Sequence, residues 1–131
     1  MASSPEAALR DAIDASGSLK LKKFRDTIHL PFHQVGLGPV LPEIYLSEED
    51  VPEYRSDGWE VTNPEWVGST NELRSFEEIV RDENKAAFLI KAARFYADGS
   101  LMQTYDAIFT VANRDGDWRL ISRNPFNVRK A

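Results

Sequence analysis

The sequence has no cysteine. Disulfides, thiolate catalysis, zinc ribbons and iron–sulfur clusters are therefore excluded, since each needs the Cys sulfur. Histidine occurs only at His29 and His33. No run approaches the roughly 18 consecutive apolar residues of a transmembrane helix, so no membrane partner is expected. There is no basic run either. Lys+Arg is 16 against Asp+Glu 21, a net charge of −5. Phosphate contacts need clustered cations, so no nucleic-acid partner is expected. The start, Met1-Ala2-Ser3-Ser4-Pro5-Glu6, is polar and lacks the basic region and apolar core of a secretory signal. A cytoplasmic protein is the expectation. Internal repeats, low-complexity segments and linkers are absent. The 131 residues, 42% of them apolar, suit a single domain over 1–131. Such a chain buries about two thirds of its unfolded surface and needs no staples.

What is present reads as helices first and strands later. Ser4-Pro5-Glu6 is a helix start, with Ser as N-cap, Pro at the first helical position and an acid in the first turn. Ala8, Leu9, Ala12 and Ile13 recur at helical spacing until Gly17. A second helix from Ser18 places Leu21, Phe24 and Ile28 on one face and stops at or before Leu30, ahead of Pro31. From Phe32 to Leu46 two short strands flank a Gly/Pro loop. Ser47-Glu48-Glu49-Asp50 opens a short third helix limited by Pro52 and Gly58. A long strand is expected between Glu72 and Arg81. Asp98-Gly99 and Asp115-Gly116 are hairpin turns, because a type I′ turn needs positive φ at both positions. Residues 85–97, 100–113 and 118–123 then form an antiparallel meander.

A two-residue turn fixes the register. Around Asp98-Gly99, Tyr96 faces Leu101, Arg94 faces Gln103, Ala92 faces Tyr105, Ile90 faces Ala107 and Phe88 faces Phe109. On the other face Phe95 meets Met102, Leu89 meets Ile108, and Lys91 meets Asp106, a favourable cross-strand pair. Around Asp115-Gly116, Trp118 faces Val111, Leu120 faces Phe109 and Ser122 faces Ala107. The first face is apolar at one end and amphipathic at the other, where Arg94, Gln103, Tyr105, Tyr96 and Ser122 gather. An apolar wall with a few convergent polar groups is what a small-molecule pocket needs; the alternative is that Arg94 and Gln103 reach solvent at the strand end. The second face mixes Phe95, Met102, Leu89, Ile108 and Ile121 with Lys91, Asp106, Arg119 and Arg123, a composition that suits a subunit interface.

The order of elements, Ala93-Arg94-Phe95-Tyr96-Ala97-Asp98-Gly99-Ser100, Asp115-Gly116-Asp117-Trp118-Arg119-Leu120 and the junction Ile28-His29-Leu30-Pro31 together resemble the nuclear-transport-factor-2-like superfamily. That group includes ketosteroid isomerase, scytalone dehydratase, limonene-epoxide hydrolase and the SnoaL-like polyketide cyclases. The resemblance implies an α+β fold: a curved antiparallel sheet with N-terminal helices packed on its concave face, a cone-like barrel with a cavity. It also implies a homodimer through the outer sheet face. Its motifs are structural and select no single chemistry.

Two function classes follow. In the first, the chain is a cofactor-free isomerase, cyclase or dehydratase acting on a small, hydrophobic, oxygenated molecule. Arg94 and Tyr105 would hold or polarise the oxygen, and His29 or His33 would move the proton. Tyr45, Trp59, Trp66, Phe88, Tyr96, Gln103, Phe109 and Ser122 would contact the ligand. In the second, the same fold binds a ligand or a protein partner without turnover, which the lack of a carboxylate beside Arg94 favours. A helix-end role for His29, and core packing for Trp59 and Trp66, are the plainer alternatives. A metal pair at His29 and His33 is not expected, because Pro31 lies between them. Asp57 and Glu65 are the acids available to a cavity.

Overall fold

A computed structural model describes residues 2–16, 21–35, 43–51 and 64–131. The Gly/Pro loop at 36–42, the Pro52–Gly58 stretch, Asp57 and Trp59 lie outside the described residues. Helix α1 spans Pro5–Ser16 and α2 spans Leu21–Arg25. The strands are β1 (Ile28–Gln34), β2 (Glu43–Tyr45), β3 (Thr70–Arg81), β4 (Lys85–Phe95), β5 (Leu101–Arg114) and β6 (Asp117–Lys130). Single 3-10 turns lie at Glu48–Asp50 and Pro64–Trp66. No helix among the described residues is long and apolar enough to cross a membrane.

Helix α1 starts as its sequence dictates. Ser4 Oγ accepts from the Ala7 N–H at 3.2 Å, satisfying one of the orphan donors of the first turn. Ala8, Leu9, Ala12 and Ile13 are buried. Helix α2 is shorter than its periodicity suggests, and Ile28 belongs to β1. Both the N–H and the hydroxyl of Thr27 bond back to the Phe24 carbonyl, at 2.9 and 2.7 Å. That closes the helix one turn early and leaves Ile28 to pair with Leu120. The expected third helix is, in its described part, only the turn Glu48–Asp50. Asp50 Oδ2 accepts from the backbone N–H groups of Leu46 and Ser47, at 3.0 and 3.1 Å.

The strands form one curved, unclosed sheet in the order β2-β1-β6-β5-β4-β3. Helix α1 packs against β3, β5 and β6. This is the α+β arrangement expected. The sheet is mixed, however, because β1 runs parallel to β6, while the other ladders are antiparallel. The core holds Leu9, Ile13, Phe24, Phe32, Phe88, Ile90, Phe109, Val111 and Leu120. Phe24 meets Phe32 edge-on at 5.4 Å, and Phe32 stacks on Tyr45 at 5.9 Å.

The β4–β5 register from Phe88↔Phe109 to Arg94↔Gln103 is as predicted, including Lys91↔Asp106, whose Nζ and Oδ1 are 4.0 Å apart. It arises by a different route. Only Gly99 has positive φ at this turn, and Gly99 N–H bonds to Tyr96 O while Tyr96 N–H bonds to Ser100 O. The loop is therefore three residues long, and Phe95 pairs with Leu101 rather than Met102. Met102 is the extra residue that restores the register.

At the second hairpin, Asp115 and Gly116 both have positive φ, the type I′ geometry expected of Asp-Gly. Arg114 and Asp117 are the closing pair, so Trp118 faces Asn113 and Leu120 faces Val111. This is the pairing that a two-residue loop dictates, and the expected Trp118–Val111 and Leu120–Phe109 pairs lie two residues too far from the turn. A register shift between Thr110 and Val111 then sets Ser122 opposite Thr110 and Arg123 opposite Phe109. Residues directly opposite share a face. Ser122 is thereby turned to the outer face and Arg123 to the inner one, the reverse of the expectation. The Arg123 guanidinium lies 4.8 Å from the centroid of the Phe24 ring and donates to Gln34 Oε1 at 2.7 Å.

Two exposed turn acids are held below the ordinary carboxylate range. The Ser100 hydroxyl and N–H donate to Asp98, and the Asn84 and Lys85 N–H groups donate to Asp82. Because the folded pKa is the lower one, this stabilisation is present above about pH 4 and is lost as pH falls through the folded value. Asp98→Asn should therefore flatten the acid limb of a plot of Tm against pH between about pH 5 and 2 and leave the neutral limb parallel to wild type.

Candidate functional site

Arg94 is 4% exposed. It stands on the concave face because Ile90, Ala92 and Arg94 alternate inward along β4. Its ladder neighbours are Asn71 on β3 and Gln103 on β5. Nη1 donates to Ser69 Oγ at 2.7 Å, and Nη2 donates to the Ser16 carbonyl at 3.2 Å. The guanidinium lies over the Trp66 ring, 4.4 Å from its centroid, a favourable cation–π distance. Helix α1 has no basic residue in its last turn. Arg94 brings a cation to that negative helix end from the sheet.

The turn before β3 supplies the covering groups. Ser69 N–H bonds to the Trp66 carbonyl at 3.0 Å, and Val67 N–H bonds to the Pro64 carbonyl at 3.2 Å. Gly68 makes this possible. Its φ is +76°, and a Cβ there would come within 2.9 Å of Ala97 Cβ. Gly68→Ala should destabilise the fold by about 1–2 kcal/mol and loosen Ser69 from Arg94. Urea unfolding gives the first effect, and the Trp fluorescence maximum reports the second.

Asn71 completes the row. Its Nδ2 donates to Ser16 Oγ at 2.9 Å, and that hydroxyl donates to the Ile13 carbonyl at 3.0 Å. The other amide atom, Oδ1, is buried and has no hydrogen-bond partner among the described residues.

The structure gathers only part of the expected set. Arg94, Trp66, Gln103 and Tyr105 share one end of the concave face. Trp66, Gln103 and Tyr105 are half-buried, and Tyr105 packs against the core opposite Ala92. Tyr96 is half-buried and begins the adjoining turn. Phe88 and Phe109 lie on the same face but are core residues, 0% and 1% exposed. Tyr45 is buried in the stack with Phe32, and its hydroxyl donates to the Glu43 carboxylate. Ser122 faces outward for the reason given above.

The histidines are elsewhere. His33 is exposed and pairs with Ile44 and Ser122. Ser122 in turn pairs with Thr110, seven residues along β5 from Gln103, or roughly 23 Å of strand. His29 is half-buried by the second hairpin, where its Nε2 donates to the Asp117 carbonyl at 2.8 Å. Neither histidine joins Arg94 and Tyr105. Neither ladder neighbour of Arg94 is an acid.

Sequence reasoning missed Ser16, Ser69 and Asn71. Asn71 could be placed opposite Arg94 only by counting back along β3. That strand shifts register twice, between Leu73 and Ser75 and between Glu78 and Val80. Ser16 and Ser69 carry no periodic signal at all.

No protein-family model matches the chain, and no curated protein matches it in sequence. Solved structures do. A protein from Thiobacillus denitrificans named for the calcium/calmodulin-dependent protein kinase type II association domain has 12% identity and a TM-score of 0.65, with 93% of each chain covered. A nuclear-transport-factor-2-like protein from Anabaena variabilis has 9% identity and a TM-score of 0.56, covering 92% of this chain and 84% of that one. A protein from a Silicibacter species named as a polyketide cyclase has 11% identity and a TM-score of 0.50, covering 92% and 86%. At such identities the likeness is one of architecture, and it agrees with the curved sheet carrying α1 on its concave face: this chain has the fold of the nuclear-transport-factor-2-like structure.

Proposed function

We propose that the chain binds a small, hydrophobic, oxygen-bearing molecule at the Arg94 end of the concave face, beside Trp66, Tyr105 and Gln103. The observation that carries this reading is the polar row Asn71, Arg94 and Gln103 set beside an apolar wall. Ligand pockets combine an apolar lining with a few placed polar groups. The reading invokes no cofactor and places the protein in the cytoplasm. Binding without turnover is the form favoured by the geometry, since both histidines lie away from Arg94. Cofactor-free proton transfer, as in an isomerase, cyclase or dehydratase, remains a second reading. It is supported by Tyr105 standing one inward position along β5 from Gln103.

A thermal-shift screen against cyclic ketones, enols, terpenoids and aromatic polyketide fragments tests the binding. A ligand at 100 times its Kd adds about 2.7 kcal/mol, a shift of several degrees in Tm. Tyr105→Phe and Gln103→Leu should weaken such a hit; no shift from any class would overturn the reading.

The partner we propose is a second copy of the chain, docked through the outer sheet face. Leu89 and Ile108 pair there next to Lys91↔Asp106, and Phe126 opposite Asp106 is 42% exposed. A mass in solution of one chain, by light scattering, would overturn it.

A further inference from the structure

We propose that the second copy docks in one orientation, with the two-fold axis running along the strands between β4 and β5, so that Glu72 of each chain meets Arg129 of the other. This inference rests on the outer-face dimer proposed above and fixes its geometry. Four strands carry that face, in the order β6-β5-β4-β3, and the ladders set its residues in rows. One row holds Arg129, Thr104, Ala93 and Glu72. The next holds Phe126, Asp106, Lys91 and Ser75, and the one after it Asn124, Ile108, Leu89 and Glu77. Glu72, Glu77, Lys91, Phe126 and Arg129 are exposed. Within its own chain Glu72 lies 3.8 Å from Arg74, an exposed pair of the kind that contributes little. Arg129 stands three strand spacings from Glu72, about 14 Å, too far for the two to meet within one chain.

A two-fold dimer brings the same patch of both chains together, and aligned sheets stack about 10 Å apart with strands within about 30° of each other. Two kinds of axis satisfy both conditions. An axis across the strands lays each strand on its own copy. Lys91 then faces β4, which contains no acid, and the acids of β3 face β3. An axis along the strands reverses the strand order instead. Placed on β4 it sets Lys91 against Lys91, and placed on β5 it sets Asp106 against Asp106. Placed between them it sets Lys91 against the partner's Asp106, twice. The pair made within one chain, 4.0 Å apart, then becomes a group of four alternating charges. The same placement lays β3 on the partner's β6, and there an independent pair agrees with it. Glu72 meets the partner's Arg129 in the row next to Lys91, close enough to the centre for two long side chains to reach across the crossing angle. Leu89 meets the partner's Ile108, so the apolar residues coincide as well. Opposite charges meet in this orientation, and like charges meet in the others, which is how an interface fixes its register.

The chain has no cysteine, so an introduced thiol is unique and can be cross-linked selectively. Chains carrying Glu72→Cys and chains carrying Arg129→Cys, co-expressed and treated with a short bis-maleimide, should yield a covalent dimer, and neither variant alone should. Light scattering over a dilution series supplies the second arm. Glu72→Arg and Arg129→Glu should each weaken the dimer about tenfold, because two attractions become two repulsions. The double variant Glu72→Arg/Arg129→Glu should return to the wild-type Kd, a recovery that damage to the fold would not allow. Suppose wild type has the mass of two chains. Then coupling of Glu72→Cys to itself, no coupling in the mixture, or no recovery in the double variant would overturn this orientation and leave the dimer standing. A wild-type mass of one chain would overturn both.

Discussion

Arg94→Leu should lower the unfolding free energy by about 3 kcal/mol and Tm by roughly 10 °C. The substitution removes the donors that reach Ser69 Oγ and the Ser16 carbonyl, and both of those residues are buried. Each orphaned group costs about 1–3 kcal/mol. The leucine recovers part of this as apolar burial beneath Trp66. Arg94→Lys is the informative companion. It keeps the charge, but a single ammonium cannot reproduce the planar fork that spans two acceptors while lying flat on an indole. About half the loss should remain. Equilibrium urea unfolding of the three proteins measures this, and a loss under 1 kcal/mol for Arg94→Leu would contradict the role of Arg94 at the end of α1. Affinity changes in Arg94 variants must accordingly be judged at temperatures where the variant is folded.

Phe109→Ala should cost more, about 3–5 kcal/mol. Phe109 pairs with Phe88 on one side and Arg123 on the other, and it is enclosed in the core cluster. Truncation leaves a cavity that backbone hydrogen-bonded on both edges cannot collapse to fill. A phenylalanine lining an open ligand pocket would give a different result. Water would occupy the space, and only the transfer term of about 2 kcal/mol would be lost. The denaturation midpoint thus reports which side of the core boundary this residue occupies.

How far the sequence could be read follows from the range of the interactions involved. Local signals worked. Ser4-Pro5-Glu6 set the start of α1, and Asp-Gly located both hairpins. The Lys91–Asp106 pairing confirmed a register over seven rungs of β4–β5, even though a three-residue turn and the extra Met102 compensate each other there. Irregularities of single residues were invisible, since no residue type marks them uniquely. One such shift at Thr110/Val111 exchanged the faces of Ser122 and Arg123. Arg94 was legible as a polar residue on an apolar face. Its partners were not, because Ser16 is 78 positions away and Ser69 is 25, and no periodicity connects them. The parallel β1–β6 ladder was missed for the same reason: hairpin reasoning reaches only strands that follow one another.

That ladder also bears on how the chain is made. Synthesis runs from N- to C-terminus, so β1 and β2 emerge well before the neighbour that joins them to the rest of the sheet, β6, at 117–130. Until those residues leave the ribosome, β1 and β2 are a two-stranded ribbon with no third strand beside them and little more than Phe24 of α2 packed on Phe32, and two-stranded ribbons are marginal in water. The meander β3–β4–β5 can pair as it appears, but its inner edge stays open to any other nascent strand. Of these six strands the one made last is thus the one that closes the gap, and assembly of the sheet is governed by a late, long-range event rather than by stepwise growth.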